Sequence, residues 1–278
     1  MIHRTFALAL LMSVLLSACG TDEPVATTAA ETTTTVVYSG SYAAWLRLDP
    51  GGVRDGSIVP VFRPAPDAPT LEQRARTLLA GYTFSEADFG IGTAIPFDVE
   101  LLGVTGPVDG VVIVDLSAPF AEGSGLVEME MRLAQMVFTL TEDPSVDRVS
   151  FSIDGTPVSE FSAEQIDVST PLRRSDFANH LERVNLDSPR FLQDDLASTI
   201  QLRGVADAEV VSFEIVDSGG EVLASGSVST EDAGDPTGLM SFEAEVDIAS
   251  PASGALCLIQ LWVDAPRQEL SVPVYAAG

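Results

Sequence analysis

Few side chains in this sequence are suited to covalent or metal chemistry. The 278 residues contain two cysteines, Cys19 and Cys257, and two histidines, His3 and His180. Every one of the 14 basic residues counted as Lys or Arg is arginine, which excludes a Ser-Lys dyad, a lysine Schiff base and a P-loop lysine. So few histidines and cysteines cannot build a His-Cys metal cluster. A Ser-His-Asp triad through His180 would need a Gly-x-Ser-x-Gly elbow, which the sequence lacks, so we expect His180 to be an exposed linker residue.

Carboxylates are the remaining candidates for chemistry. The neighbouring acids Glu128 and Glu130, or Asp194 and Asp195, could bind Ca²⁺ weakly, and a glycosidase needs only two acids. No EF-hand spacing is present, and 41 acidic residues make such pairs inevitable on a solvated surface. Asp115 follows an apolar strand pattern and is interpreted as a turn and cap residue. The sequence therefore predicts no catalytic residue, no cofactor and no metal site.

The clearest chemical signal lies at the start of the chain. The apolar run of residues 6–16 is shorter than the roughly 20 residues of a membrane span and is typical of a secretory signal. It ends in Leu16-Ser17-Ala18-Cys19, which resembles the lipobox of bacterial lipoproteins. The resemblance implies cleavage before Cys19 and attachment of lipid, such as palmitate, to that cysteine. An ordinary signal peptide that happens to contain a cysteine is the alternative.

Composition and charge are consistent with an anchored, exported chain. Residues 19–40 are rich in Thr, Ala, Glu and Val and have no pattern that could bury a face, which predicts a flexible tether. Without a signal peptide of residues 1–18, the chain has 13 arginines and 41 acidic residues, a formal charge of −28. This charge repels nucleic acid and anionic lipid head groups. We therefore expect lipid on Cys19, rather than a basic patch, to hold the chain on the extracytoplasmic face of the membrane.

The pattern of residues 41–161 predicts an α+β domain with two helices on a small sheet. Thr70 and Gln73 have the spacing of a capping box at the start of the first helix, and Gly81 ends it. The second helix is predicted over Gly125–Leu140, with Ser124 as its cap. The predicted strands are Tyr42–Leu48, Ile58–Phe62, Val99–Val104, Val111–Leu116 and Val149–Ile153.

Five blocks of this region follow the order seen in one protein family. They are residues 76–83 (RTLLAGYT), 92–96 (GTAIP), 114–120 (VDLSAPF), 134–141 (AQMVFTLT) and 149–155 (VSFSIDG). Together they resemble the GerMN domain of sporulation and spore-germination proteins. The resemblance implies an α+β fold and involvement in sporulation, germination or envelope assembly.

Residues 184–278, after a connector of residues 162–183, are predicted to be all strand. Val211, Phe213 and Ile215 alternate with polar residues, and Leu256–Val263 is continuously apolar, as a central strand would be. Cys257 lies in that strand and is expected to act as a small buried hydrophobic residue. Six or seven short strands separated by turns predict an immunoglobulin-like sandwich.

Short segments of this second region also resemble a family. They are Leu186-Asp187-Ser188-Pro189, Gly204-Val205-Ala206, Ser212-Phe213-Glu214 and Val272-Pro273-Val274. They are similar to the immunoglobulin-like domain of bacterial spore germination proteins. The order of lipobox, GerMN-like domain and sandwich is therefore consistent along the chain.

The function expected from these observations is that of a membrane-anchored, non-catalytic binding or assembly module of the cell envelope. Its partners would be envelope proteins or cell-wall polymer, and not nucleic acid. A surface hydrolase that acts on wall glycans with paired carboxylates is the alternative. The ligand-capturing lipoprotein of an importer is a third possibility, although two small modules without an evident hinge fit it poorly.

Overall fold

The computed structural model describes residues 40–49, 56–65, 68–122, 125–161, 166–193, 196–249, 253–264 and 268–277. The predicted signal peptide, the lipobox residues Leu16, Ser17 and Ala18, Cys19 and most of the predicted tether lie outside the described residues. The acidic pair Asp194–Asp195 and the predicted cap Ser124 also lie outside them.

The first part of the described chain mixes strands and helices. The helices are α1 (Leu71–Leu79), α2 (Phe84–Ala87) and α3 (Leu126–Leu140). The strands are β1 (Gly40–Leu48), β2 (Ser57–Ala65), β3 (Ile91–Gly92), β4 (Leu101–Val108), β5 (Val111–Leu116), β6 (Arg148–Ile153), β7 (Thr156–Pro157), β8 (Glu160–Phe161) and β9 (Ile166–Asp167). The predicted α+β class is confirmed. Within the described ranges no helix has both the length and the apolarity needed to cross a membrane.

The strands of this part are divided between two main sheets, where the sequence pattern predicted one. Sheet β2-β1-β3 is antiparallel, and sheet β4-β5-β6-β7 contains the parallel pair β5–β6. Helix α3 packs against β1 and β2 of the first sheet and against β6 of the second. Every residue from Met131 to Leu140 is buried, because elements cover α3 on more than one side. A helix whose residues are buried on every side must be packed against other elements on every side.

Helix α1 begins as predicted. The Thr70 side chain accepts a hydrogen bond from the Gln73 backbone N–H at 3.2 Å, and the Gln73 side chain accepts one from the Thr70 N–H at 2.8 Å. This capping box satisfies two backbone donors that the first turn would leave unpaired. Gly81, with φ of 74°, follows the end of the helix in a conformation that favours glycine.

Buried polar side chains of α3 connect it to the neighbouring segments. Gln135 accepts a hydrogen bond from the Ala94 N–H at 2.8 Å and donates one to the Trp45 carbonyl at 3.1 Å. Thr139 accepts one from the Trp45 N–H at 2.9 Å. Arg132 donates to the Ala94 carbonyl at 2.9 Å. The sequence blocks at residues 92–96 and 134–141 therefore meet in space.

The second part of the described chain forms an antiparallel sandwich. Its strands are β10 (Val184–Ser188), β11 (Thr199–Ala206), β12 (Val210–Asp217), β13 (Val222–Ser229), β14 (Met240–Asp247), β15 (Leu256–Val263) and β16 (Gln268–Tyr275). One sheet has the order β10-β11-β14, and the other has the order β13-β12-β15-β16. The immunoglobulin-like architecture is confirmed, with β15 central between β12 and β16 as its apolar run predicted.

His180 differs from its prediction as an exposed linker residue. It ends a 3₁₀ helix over Arg174–His180 that packs on α3, and its side chain is buried. The imidazole Nε2 lies 3.3 Å from Glu130 Oε2, and the ring lies near that of Phe177. The connector is therefore part of the core, and Phe177 and His180 are both buried in it.

A matched pair of glycine substitutions tests the close approach of β10 and β11. A Cβ added at Gly204 would lie 2.8 Å from the Phe242 ring and would also collide with the Asn185 carbonyl oxygen. A Cβ at Gly103 would meet nothing within 4 Å. Gly204→Ala should therefore lower the free energy of unfolding by about 3 kcal/mol, the upper end for overpacking. Gly103→Ala should change it by less than about 1 kcal/mol. Urea unfolding of both variants measures the difference, and equal effects would contradict the close approach.

Candidate functional site

The candidate site is a cleft of about 820 Å³, here called the polar cleft. One wall carries Trp45 of β1, Phe138 of α3, Glu142 just after α3, and Arg174 of the connector. The opposite wall carries Asn185, Asp187, Gln201 and Arg203, which belong to β10 and β11. Arg190 and Asp235 also face the cleft. Its volume is in the range of small-molecule sites, and both walls are mainly polar or charged.

The first wall is held by the Arg174 guanidinium. Its centre lies 4.9 Å from the Phe138 ring centroid and 5.5 Å from that of Trp45, so it covers both aromatic rings. It donates to Thr141 Oγ1 at 2.8 Å and to the Phe138 carbonyl at 3.1 Å, and it forms an ion pair with Glu142. The Trp45 indole N–H donates to Glu142 Oε1 at 2.9 Å. Glu142 and Arg174 are therefore committed to this wall.

The second wall is shaped by a β-bulge in β10. Leu186 pairs with Gly204 and Ser188 pairs with Arg203, so Asp187 has no opposing residue in β11. Bulges of this kind redirect a side chain and are over-represented next to functional sites. Asp187 accepts no hydrogen bond among the described residues, and its partly buried carboxyl lines the cleft.

Asn185 adds to this wall a side-chain oxygen that accepts no hydrogen bond. Its side chain is 1% exposed, and its Nδ2 donates to the Glu182 carbonyl at 2.9 Å. Its Oδ1 is buried and has no hydrogen-bond partner among the described residues. An unpaired buried acceptor costs about 1–3 kcal/mol, so its retention needs an explanation.

The surroundings of Asp187 in the polar cleft shift its pKa. Burial raises the pKa of Asp187 from its ordinary 3.8 to about 6, and the negative charge of Glu142 adds to the rise. Arg203 and Arg174 lower the pKa of Asp187, while Asp235 raises it further. Asp235 is held in its own loop, where its Oδ1 accepts hydrogen bonds from the N–H and hydroxyl of Thr237. A carboxyl with such a pKa changes charge near neutral pH.

A second cleft of about 870 Å³ is lined by β16, the connector and the end of β1. Its buried Glu182 accepts hydrogen bonds from Ser57 and Gln268, and Arg183 pairs with Asp207 at 3.3 Å. Asp49 Oδ1 is unpaired here, although Asp49 Oδ2 accepts from Arg47 at 3.4 Å. The polar cleft combines an unpaired amide with a carboxyl of raised pKa, and it is therefore the stronger candidate.

The acids considered in the sequence do not form a site together. Glu128 pairs with Arg47 at 3.1 Å, whereas Glu130 faces His180, so each acid has its own partner. Asp115 lies within β5 and not in a turn, which corrects its interpretation as a turn residue. Its Oδ1 accepts a hydrogen bond from the Gly155 N–H at 3.0 Å and so caps the turn that follows β6. Across the part of the chain that the structure describes, no three His, Cys, Asp or Glu residues are grouped as metal ligands.

Cys257 is a free, fully buried cysteine of β15. Burial raises the pKa of its thiol, and the charge of Asp217 raises it further. A raised pKa keeps the thiol protonated and inert. Its prediction as a small hydrophobic core residue is confirmed, whereas the predicted lipid site Cys19 lies outside the described residues.

Sequence reasoning missed Asn185, Asp187 and Arg203. Asn185 and Asp187 alternate with Val184 and Leu186, which is the ordinary pattern of a strand with one solvated face. Only packing of the first wall against that face turns these residues into the lining of a cleft. The segment that contains Asp187 carries only a family-like block, and nothing local distinguishes its carboxylate from the other acids.

Comparisons with known proteins place the first domain in a family. Residues 42–159 match the family model Germane, described as sporulation and spore germination. No curated protein matches the chain.

Solved structures provide three further likenesses. The tandem GerMN domains of the sporulation protein GerM from Bacillus subtilis are 18% identical, with a TM-score of 0.41, over 75% of this chain and 61% of that one. The first GerMN domain of the same protein is 22% identical, with a TM-score of 0.39, over 49% and 98%. A candidate lipoprotein from Clostridium perfringens is 16% identical, with a TM-score of 0.35, over 49% and 89%. On the family match, residues 42–159 of this chain form a Germane domain.

Proposed function

We propose that this chain is a lipid-anchored, non-catalytic binding module on the extracytoplasmic face of the cell membrane, and that it binds its partner in the polar cleft. The observation that carries the proposal is the pair of open acceptors, Asn185 Oδ1 and the Asp187 carboxyl, on a wall opposite fixed side chains. A preorganised wall with unused hydrogen-bonding groups is suited to recognition. The Germane domain suggests that the partner belongs to the envelope of a sporulation or germination system.

The anchor is proposed from the lipobox-like Leu16-Ser17-Ala18-Cys19 and the polar segment that follows it. The formal charge of −28 opposes binding to anionic head groups, so a covalent lipid would be needed to keep the chain at the membrane. The tether of residues 19–40 would let the folded part reach partners about 25 Å from the anchor by coil statistics.

A non-catalytic role is supported by the engagement of the cleft's other acids. Glu142 holds Arg174 and the Trp45 indole, and Asp235 holds the Thr237 backbone and hydroxyl. General acid–base chemistry with two carboxylates needs a second acid that is free to change its protonation or to attack. The other acids of the polar cleft, Glu142 and Asp235, are both engaged in such contacts.

The wall-glycan hydrolase remains a second candidate because of one observation. Asp187 has its pKa raised to about 6 and shares the cleft with Glu142, and a glycosidase requires an acid of raised pKa beside a second carboxylate. Turnover of purified wall glycans by the wild-type chain, abolished by Asp187→Asn, would establish this alternative. Absence of turnover in both proteins would support binding without catalysis.

The anchor is tested by Cys19→Ala, with Cys257→Ala as the matched cysteine control. Cys19→Ala should shift the protein from the membrane fraction to the soluble fraction, or leave its signal uncleaved, because lipid attachment needs the thiol. Cys257→Ala should remain in the membrane fraction, since that thiol is buried in β15. Fractionation and labelling with a radioactive fatty acid measure both variants, and lipid incorporation into Cys19→Ala would contradict the proposal.

The binding role is tested by a photo-reactive amino acid at Gln201, inside the polar cleft, with Glu221 as an exposed position outside it. In intact cells Gln201 should crosslink envelope material at least fivefold more than Glu221, because a bound partner excludes water from the cleft. Mass spectrometry of the adducts measures the yield. Equal yields at the two positions would argue against the cleft as the binding site.

The dependence of stability on pH is tested with Asp187→Asn. Because the folded-state pKa of Asp187 lies above its ordinary value, the folded state loses stability as pH rises from 3.8 through about 6. The difference between these two pKa values corresponds to about 3 kcal/mol of folding stability, all of which is lost once the pH is above 6. Asp187→Asn cannot ionise, so relative to wild type it should gain up to about 3 kcal/mol between pH 3.5 and 7.5.

Urea unfolding at the two pH values measures this gain, and the exposed Asp264→Asn is its control. A variant that is less stable than wild type at pH 7.5 would show that the Asp187 carboxylate stabilises the fold. Asp187 would then be a structural residue rather than a recognition residue.

A further inference from the structure

We propose that the polar cleft binds a zwitterionic ligand, a free amino acid or short peptide, with its ammonium group at Asp187 and Asn185 and its carboxylate at Arg203. This proposal deepens the proposed function and rests on the polar cleft being a binding site. It assigns a chemical class to the ligand from the groups that the cleft leaves unused.

The acceptors define the ammonium position. Asn185 Oδ1 is buried without a donor, and the Asp187 carboxyl accepts no hydrogen bond among the described residues. The two residues lie two positions apart on β10, and both line the cleft. An ammonium group supplies three N–H donors and a positive charge, so it can satisfy the amide oxygen and the carboxylate together.

The arginines define the carboxylate position. Arg174 is committed to Glu142, Thr141 and the Phe138 carbonyl. The Arg190 guanidinium lies 5.9 Å from the Phe62 ring and has other contacts. Arg203 lies beside the β10 bulge but forms no ion pair with Asp187 or any other described acid. Its planar fork of donors matches a carboxylate, and a zwitterion would bridge the separation between Arg203 and Asp187.

A neutral saccharide fits the same walls less well. Neutral sugars commonly bind with a C–H face packed on an exposed aromatic ring, in addition to hydrogen bonds from their hydroxyls. Arg174 covers the rings of Trp45 and Phe138, and Arg190 lies over Phe62. The described walls therefore present charges and hydrogen-bonding groups where a saccharide would need an aromatic platform.

The charged groups around the site make binding dependent on pH. Asp187 faces Glu142 and Arg174 from the first wall, Arg203 from β11, Arg190 from the segment after β10, and Asp235 from the loop before β14. Glu142 is offset by Arg174, so Asp187 supplies the negative charge at the ammonium position. Protonation of Asp187 below pH 6 would remove that charge. Ammonium binding should therefore weaken as the pH falls through 6.

The experiment titrates the full-length protein in detergent with alanyl-alanine by calorimetry at pH 7.5. Asp187→Asn should weaken binding at least tenfold, because it removes the charge and keeps the side-chain shape. Arg203→Gln should weaken binding of alanyl-alanine about tenfold but should not change binding of alanyl-alanine amide, which lacks the carboxylate. The control variants Asp264→Asn and Arg76→Gln, both exposed, should bind as the wild type does. At pH 5 the wild type should bind at least fivefold more weakly, whereas Asp187→Asn should not change.

Three outcomes would overturn the proposal. They are the absence of alanyl-alanine binding, equal binding of N-acetyl-alanyl-alanine, which has no ammonium group, and tighter binding of an N-acetylglucosamine disaccharide. Loss of dipeptide binding while the Gln201 crosslinks persist would remove the ligand class and leave the proposed function intact. Loss of both would remove the binding function as well.

Discussion

The backbone of Trp45 is held by side chains of helix α3, and the arrangement of the first wall depends on this contact. Thr139 accepts a hydrogen bond from the Trp45 N–H at 2.9 Å, and Gln135 donates one to the Trp45 carbonyl at 3.1 Å. Gln135 Oε1 in turn accepts from the Ala94 N–H at 2.8 Å and from the Thr93 hydroxyl at 3.3 Å. Both α3 residues are fully buried, where a lost hydrogen bond leaves an unpaired group that costs about 1–3 kcal/mol. The indole is thereby fixed where its N–H reaches Glu142, which in turn orients Arg174. The first wall is therefore held in place by hydrogen bonds to buried polar side chains of α3.

The opposite wall contains groups that lower the stability of the fold. Gly204 allows β10 and β11 to approach closely, and the bulge at Asp187 directs that carboxyl into a partly buried position. The raised pKa of Asp187 and the unpaired Asn185 Oδ1 both oppose folding. Groups that lower stability without a structural benefit are typical of functional sites. The contrast between a satisfied wall and an unsatisfied wall supports recognition on the β10–β11 side.

The elements that the sequence predicted well are those fixed by local periodicity. Strand β5 has the predicted bounds Val111–Leu116, and α3 ends at Leu140 as expected, because their apolar residues recur with the period of the element. His180 and the second sheet were missed because each depends on what α3 packs against. Asp187 was missed for the same reason: its position in the pattern is that of a solvated residue, and the wall that covers it is distant in sequence.

Only part of the polar cleft lies within the residues that match the Germane family. The Germane match ends at residue 159 and includes Trp45, Phe138 and Glu142 of the first wall. Arg174 and the residues of the second wall all follow that limit, so the family cannot by itself specify what the cleft binds. The negative formal charge of the chain also favours some ligands over others, because an acidic surface repels anions and concentrates cations. A zwitterion, whose net charge is zero, would meet less of this repulsion than an anion as its carboxylate approached Arg203, and Asp187 is where its positive charge would be met.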